Sequence, residues 1–463
     1  MNKLLLVITV VMNALYLSWL APHVNGVAGF VFYIAEFSVS ALSFLFLINH
    51  WSQKHTLHSH REPSGSVDIF IPIVDEPLSI VEPVLRSASR IEYDQKRVWV
   101  LDDGKRASLA SLAKQYGAEY VSRPDARADN KAGNLNYALL RSRGDYILVL
   151  DADQEVTNPR ILQDLLGHFA ADKKLAMVAT RQRFNVPHAD FNHDVLFYEH
   201  MQTGKNDNNA AISSGSGVIY ARVALKRIGG FQTWSIVEDL YTAYVLHQHG
   251  YRTLYINKAY TIGTAPMDLS AIYKQRGTWA LDTLRMFFKD NPIFKKTLGV
   301  RQKLHYLELS FAYLASAFGI QILFLLPPIS LLFNIELIDA SREYVAFRIP
   351  SLLSTLILYR RLSGNTFSTS QFWAGLSPVY LWVTILALLP GKPKYKVTPK
   401  IHAHKRDTAL ILPQLFTIIF ALSISFFYFM RFGFNSLLSV NLIWIMLMFF
   451  WYWPVIYKGL LKE

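Results

Sequence analysis

The chain contains no cysteine. That excludes disulfides, thiolate metal sites and a cysteine nucleophile. It also has no G-x-G-x-x-G and no G-x-x-x-x-G-K-[ST] sequence. Phosphates are therefore not expected on a glycine-rich loop of either type. Charge is scarce, at 17% of residues, and acid is the scarcer sign, 34 residues against 47 basic ones. The net charge of +13 would suggest nucleic acid in a soluble protein. No RNA-binding motif is evident, however, and many basic residues flank apolar segments. Arg360-Arg361, Lys392, Lys394, Lys396, Lys400, Lys405 and Arg406 read as positive-inside and anionic-lipid signals. The expected partner is a lipid bilayer, not nucleic acid.

Apolar residues are abundant, 52% of the chain, and they are clustered. Leu4 to Leu20 and Gly29 to Ile48 are runs of spanning length. Tyr306 to Phe333, Tyr344 to Tyr359, Phe372 to Pro390, Thr408 to Met430 and Leu437 to Tyr457 follow. The first run resembles a signal peptide with Lys3 at its start. It lacks a clear small-x-small cleavage site, so a retained anchor is expected. A span at Phe372 to Pro390 would put the basic stretch Lys392 to Arg406 outside. That segment, interrupted by Pro378, is therefore expected to be re-entrant or interfacial. The predicted plan has six spans with both termini in the cytoplasm. It divides into a two-span anchor at 1–52, a soluble domain at 64–272 and interfacial helices at 273–303. A membrane pair at 304–362, an interfacial helix and loop at 363–406, and a last pair at 407–463 complete it.

Three short apolar runs in the soluble domain end in acid. Val67 to Ile73 leads to Asp75-Glu76. Val98 to Leu101 leads to Asp102-Asp103-Gly104. Asp145 to Leu150 leads to Asp151-Ala152-Asp153. Helical patterns lie between them, predicting a mainly parallel α/β sheet. Ligands bind at the carboxyl ends of strands in such sheets. Carboxylates there would repel a diphosphate unless a divalent cation bridged them, and oxygen ligands favour Mg²⁺ or Mn²⁺.

Asp151 and Asp153 are the candidate metal ligands, where the plain alternative is an Asp-rich turn. Glu238-Asp239 precedes a helical pattern, and Asp caps helices well. A carboxylate at a helix N-terminus can equally act as a general base toward an acceptor hydroxyl. Lys131, in Asn130-Lys131-Ala132-Gly133-Asn134, could pair with a phosphate or simply be solvated. Ser214-Gly215-Ser216 is a flexible turn by default, and a close backbone approach to a sugar by function. Gln275-Arg276-Gly277-Thr278-Trp279 lies on an amphipathic stretch. It is either an interfacial helix or a channel mouth, with Trp279 stacking on a sugar and a cation near the leaving diphosphate.

In their order, VDIFIPIVDEP, VWVLDDGKR, NKAGNLN, DADQ, SGSG, VEDLYTAYVLHQHGYRTLY, QRGTW and YKVTPK resemble bacterial cellulose synthase catalytic subunits. Those belong to the processive inverting branch of glycosyltransferase family 2, with hyaluronan and chitin synthases. The resemblance covers nearly everything after Val67. It implies a Rossmann-like glycosyltransferase domain of GT-A type, α/β in class, inserted in a helical transmembrane bundle. Asp75, Glu76, Asp102 and Asp103 would contact the uridine end of a UDP-sugar. Asp151 would contact the nucleotide, and Asp153 the metal and diphosphate. Lys131, Gln275 and Arg276 would complete the donor site. Asp239, beside Glu238, would be the base, and Trp279 would bind the acceptor. Tyr395, Val397 and Thr398 match a gating loop that closes over the nucleotide, with Lys400 as its cation.

Departures from the family pattern are specific. Its last motif ends Arg-Trp, and here that Arg is Thr278. The His of its His-x-Lys-x-Gly-Asn is Asp129, and the Cys before its Gly-Ser is Ser214. The chain ends soon after its last apolar run, so no PilZ domain and no direct cyclic-di-GMP control through one are expected. The leading expectation is a membrane-embedded inverting β-glycosyltransferase of the bacterial inner membrane. Its donor would be a UDP-sugar, UDP-glucose first, and its product a secreted polysaccharide handed to periplasmic or outer-membrane partners. A non-processive enzyme acting on a lipid or short acceptor is the second expectation. An inactive transporter or scaffold subunit is the third.

Overall fold

The computed structural model describes residues 3–51, 61–125, 127–187, 190–339, 341–391 and 407–460. The proposed gating residues Tyr395, Val397, Thr398 and Lys400 lie outside them. The soluble part is built on one eight-stranded sheet. Its strands are β1 (Val67–Ile73), β2 (Lys96–Asp102), β3 (Glu119–Val121), β4 (Tyr146–Val149), β5 (Gln154–Val156), β6 (Leu175–Phe184), β7 (Val218–Ala221) and β8 (Arg252–Gly263). Their order across the sheet is β3-β2-β1-β4-β7-β6-β8-β5.

All seven residues of β1 are buried, as expected of a strand covered on both faces. Ile69, Ile71 and Ile73 pack with Val84, Leu85 and Leu109. Phe70 turns to the other face, toward Leu135 and Tyr244, because successive side chains alternate. Pro72 has no N–H to give a ladder. It is tolerated because β4 pairs only with Val67 to Phe70, while β2 runs on to Ile73. Buried Asp68 is fully engaged by Arg222 Nη2 at 2.6 Å, Trp99 Nε1 at 2.8 Å and Gly144 N at 2.6 Å.

The sheet is mainly parallel, as expected, with β6 and β8 also paired in parallel, but it is mixed. Strands β1 to β4 pair in parallel, but β7 lies antiparallel to both β4 and β6. Parallel neighbours need a long crossover connection. β7 instead returns from the helical excursion 191–207 and enters in the opposite direction.

Among the described residues, five helices are long and apolar enough to cross a membrane: Lys3–His23, Gly26–His50, Val300–Phe333, Thr408–Phe432 and Ser436–Leu460. The predicted sixth, Tyr344 to Tyr359, lies in the 22-residue helix Ser341–Leu362. It fails on composition because Glu343, Arg348, Arg360 and Arg361 interrupt it. It still packs along the first helix, where Asn13 Nδ2 donates to Thr355 Oγ1 at 3.0 Å and Ser351 Oγ donates to Asn13 Oδ1 at 2.9 Å. Phe372 to Pro390 forms two helices, Ser368–Gly375 and Ser377–Leu388, bent by 51°. The break falls beside Pro378, as its position suggested. Counted as one span, that bent pair brings the number to six.

A buried polar cluster joins the two parts. Glu308 receives His50 Nε2 at 2.9 Å and Asn49 Nδ2 at 3.0 Å. Lys205 Nζ lies 3.9 Å away and donates to His305 O at 2.6 Å. His50, His305 and Glu308 hold ligand atoms within 4.8 Å of one another. The Lys205 ammonium already balances the one carboxylate, so a divalent ion would add uncompensated charge. The cluster reads as a fastening between the helices Gln202–Asp207, Gly26–His50 and Val300–Leu314. Gly204 makes it possible, since a Cβ there would stand 2.0 Å from His50 Nδ1. Gly204→Ala is expected to destabilise the chain by roughly 1–3 kcal/mol through overpacking. Thermal unfolding in detergent measures it, and an unchanged midpoint would remove the fastening role.

Candidate active site

The site is assembled from strand ends and the loops behind them. At the end of β2, Asp102 accepts from Gly104 N and Arg106 N at 2.7 Å each, and from Tyr120 OH at 2.9 Å. Burial, and then the bond to Asp102, pushes the Tyr120 phenol up to about 12. Asp103 is held by Arg123 at 2.6 and 2.7 Å. Arg123 also donates to Ala128 O, and to Asn130 O at 3.0 Å. Strand β2 thereby fixes the loop that opens the helix Asn130–Arg141.

The NKAGN motif follows from that loop. A Cβ on Gly133 would meet Ala128 O at 2.2 Å, so only glycine lets the loop lie across the helix. Asn134 Nδ2 pins the same helix to Leu101 O at 2.8 Å. Lys131 is left pointing into the site. Its Nζ donates to Asp151 Oδ1 at 2.7 Å and to Gly215 O at 3.1 Å, and lies 3.1 Å from Glu238 Oε1. Burial pulls the ammonium down, but Asp151, Glu238 and Asp239 outweigh it and hold it well above the ordinary lysine range.

Glu238 and Asp239 open the helix Glu238–Gln248 from inside its first turn. The cap position is Val237, without a side-chain cap, so the expected Asp capping role is not taken. The Val237 backbone N–H and Ser235 Oγ both donate to Asp282 Oδ2. Asp282 lies on Leu269–Lys289, the helix that carries Gln275 to Trp279. One carboxylate thus ties the loop before Glu238 to the helix that carries Trp279. Burial, then Glu238, pushes the Asp239 carboxyl up to about 8, with Lys131 opposing.

Gly215 has φ +85, and a Cβ there would meet Asp239 Oδ2 at 2.8 Å. The Ser-Gly-Ser turn therefore needs glycine on both conformational and steric grounds. Ser216 Oγ accepts from Asp151 N at 2.9 Å, and Gln182 Nε2 donates to Ser214 O at 2.7 Å.

Among the predicted residues, Lys131, Asp151, Gly215, Glu238 and Asp239 meet directly. Ser214, Asp239, Gln275, Arg276 and Trp279 line one cavity of about 330 Å³ that continues between the candidate membrane helices to Arg348 and Trp444. Asp75 is exposed at the rim, paired with Arg127 at 2.6 Å, and Glu76 Oε2 accepts from Val74 N at 2.7 Å. Asp153 is 8% exposed beside the cluster. Thr278 turns its hydroxyl onto Lys274 O at 2.7 Å, so that helical position offers no cation. Sequence reasoning missed Arg123, whose partners lie 5 to 20 residues away, and Gln182, Asp194 and Asp282, whose partners lie farther off in the chain.

Asp151 and Asp153 present oxygen donors alone, with no imidazole or thiolate between them, which suits a hard divalent cation. Asp151 and Glu238 share the one ammonium of Lys131, so with Asp153 the site keeps net negative charge for a divalent ion. The residues present therefore fit a Mg²⁺ or Mn²⁺ ion.

Residues 68–229 match the family described as "Glycosyl transferase family 2", and residues 226–383 match "Cellulose synthase". The chain is thus similar to family 2 glycosyltransferases and to cellulose synthases. It is 30% identical over 453 residues to "Cellulose synthase 1 catalytic subunit [UDP-forming]" of Komagataeibacter xylinus, covering 90% of this chain and 60% of that one. It is 33% identical over 422 residues to the "Cellulose synthase catalytic subunit [UDP-forming]" of Pseudomonas fluorescens (strain SBW25), covering 86% and 56%. The chain thus spans somewhat over half the length of these relatives. Among solved structures it is similar to "Mannosyltransferase PcManGT from Pyrobaculum calidifontis in complex with GDP-Man and Mn2+". The TM-score is 0.56 at 18% identity, covering 77% of this chain and 98% of that one. The fold is accordingly GT-A-like, a mixed sheet flanked by candidate membrane helices.

Proposed function

We propose that the chain transfers glucosyl units from UDP-glucose to the end of a growing β-glucan, releasing UDP. The product passes into the cavity between its own helices. The transferase domain faces the cytoplasm, the bundle lies in the bacterial inner membrane, and export partners receive the polymer. The single observation behind this reading is that Asp239 and Trp279 line one cavity that runs on into the helical bundle.

The acceptor hydroxyl oxygen attacks C1 of the glucosyl group on the side opposite UDP. The new C1–O bond forms as the C1–O bond to phosphate breaks, and the electron pair leaves on UDP. The hydroxyl proton passes to Asp239, whose raised affinity for protons suits a base. Configuration at C1 inverts in one displacement, without a covalent enzyme intermediate. Lys131 holds Asp151 and Glu238 in place and offers positive charge to the donor phosphates. Trp279 stacks on the acceptor ring. Asp75, Glu76, Asp102 and Asp103 border the uridine side. A divalent ion on Asp151 and Asp153 would supply charge neutralisation to the departing diphosphate.

Thr278 supports a second reading, transfer to a lipid or short acceptor. The family's Arg at that position faces the diphosphate, and a charge-assisted contact of that kind contributes about 1.5–3 kcal/mol. Its absence weakens the grip that repeated turnover needs. UDP release is to be screened across UDP-sugars in membranes, with the product sized and its linkage determined. UDP-glucose is expected to give the highest rate and a β-linked polymer. Short, solvent-extractable product would replace the polymer reading with the second one. No release with any UDP-sugar would support the scaffold reading instead.

A further inference from the structure

Arg276 was expected on the donor side, but its surroundings belong to the acceptor path. It is 6% exposed, and its guanidinium lies 5.0 Å from the Trp279 ring and 5.4 Å from the Phe191 ring. Phe191 is itself stacked on Phe372, with centroids 3.7 Å apart. Nη1 donates to Asp194 Oδ2 at 2.7 Å. Nε has no hydrogen-bond partner among the described residues. Asp194 follows the short 3₁₀ turn Phe191–His193 and has φ +41. That left-handed conformation is uncommon for a residue with a side chain. Asp194, Arg276 and Trp279 all line the cavity that begins at Asp239.

We propose that Asp194 and Arg276 form a second acceptor subsite beyond Trp279, which reads the hydroxyl groups of the penultimate sugar of an uncharged glycan. The inference rests on the function proposed above and deepens it. A lone buried guanidinium would select a carboxylate or phosphate. Here Asp194 cancels that charge and leaves a fixed donor beside a fixed acceptor, the pairing a sugar hydroxyl needs. A uronate or phosphorylated sugar would instead meet the Asp194 carboxylate and be repelled. Phe191 and Trp279 flank the guanidinium and hold its plane, so the donor is oriented before the sugar arrives. The pair does not touch the reacting atoms. It is a positioning device that sets acceptor register and class.

The test uses the full chain in lipid nanodiscs, with soluble β-linked gluco-oligosaccharides of one, two and three units and an oligo-uronate of matched length. Binding is measured directly, alongside UDP release at saturating UDP-glucose. In the unaltered chain, affinity is expected to rise about tenfold from one glucose unit to two. Asp194→Asn is expected to reduce that ratio toward one and to bind the oligo-uronate more tightly than the unaltered chain does, because Arg276 then carries uncompensated charge. The double change Asp194→Asn/Arg276→Gln removes both charges, and is expected to lose the two-unit gain without acquiring uronate binding. A purely structural pair would not produce the new anion preference. An intact two-unit gain in Asp194→Asn, or no change in uronate affinity, would overturn the subsite. If the oligosaccharides bind as expected but no UDP is released, the proposed function fails while the subsite stands.

Discussion

Asp239→Asn is expected to lower the rate of UDP release by roughly 10²–10⁴-fold, the range for removal of a positioned general base. UDP-glucose binding should survive, because the proposed mechanism gives Asp239 the acceptor proton and no contact with the nucleotide. The pH dependence identifies the group. Its carboxyl is pushed up to about 8 by burial and then by Glu238, against the pull of Lys131. The base acts deprotonated, so the rate should climb with pH through that value and level off above it. The residual rate of the variant should lack the climb.

Stability moves in the opposite sense. Below the unfolded value, near 4, both states carry the proton. Between there and about 8 the folded chain retains a proton that the unfolded chain has lost, so stability falls as pH rises. Asn cannot ionise and escapes that penalty. Asp239→Asn should therefore unfold at a higher temperature than the unaltered chain at pH 8 while being far less active. Equal losses of activity and stability would mean that the substitution simply damages the fold. A retained pH climb would assign the base elsewhere.

What the sequence made legible is what depends on near neighbours. Val67 to Ile73 reads as a buried strand because every residue but Asp68 and Pro72 is apolar. Asp102, Asp151 and Asp239 are recognisable because acid at an element end is out of place without a task. The break beside Pro378 follows from one residue that cannot continue a helix. The rest depends on partners far apart in the chain. Asp68 in the middle of a strand is explained only by Arg222, 154 residues on. Arg276 reads as a donor-side cation until Asp194, 82 residues earlier, is found to hold it. The antiparallel entry of β7 has no local signature, since its four residues would serve either direction. The helix Ser341–Leu362 packs with the bundle despite charges that conceal it from a hydropathy reading. Arg348 there lies 3.0 Å from buried Glu36 on another helix, and such pairing is how ionisable groups persist among membrane helices.

Lys131→Ala should both destabilise the fold and shift the pH dependence of the rate. The ammonium stands among three carboxylates, 2.7 Å from Asp151, 3.1 Å from Glu238 and close to Asp239. Removing one partner of a buried ion pair costs about 3–5 kcal/mol. Lys131 and Asp151 keep 23% and 34% of their side chains exposed, so water screens part of the loss and roughly 2 kcal/mol is expected. Glu238 is the group least able to recover, at 7% exposure. The catalytic consequence follows from the same electrostatics. Without the cation only the Leu240 N–H still opposes burial and Glu238 at Asp239, so its proton is held more tightly and the alkaline rise of the rate should move to higher pH. Thermal unfolding in detergent and a pH–rate profile for UDP release measure the two effects. Added divalent cation is expected to restore part of the stability, because Asp151 and Asp153 can accept it in place of the ammonium. A variant as stable as the unaltered chain, with the same pH profile, would show that Lys131 holds the carboxylates only in geometry and not in energy.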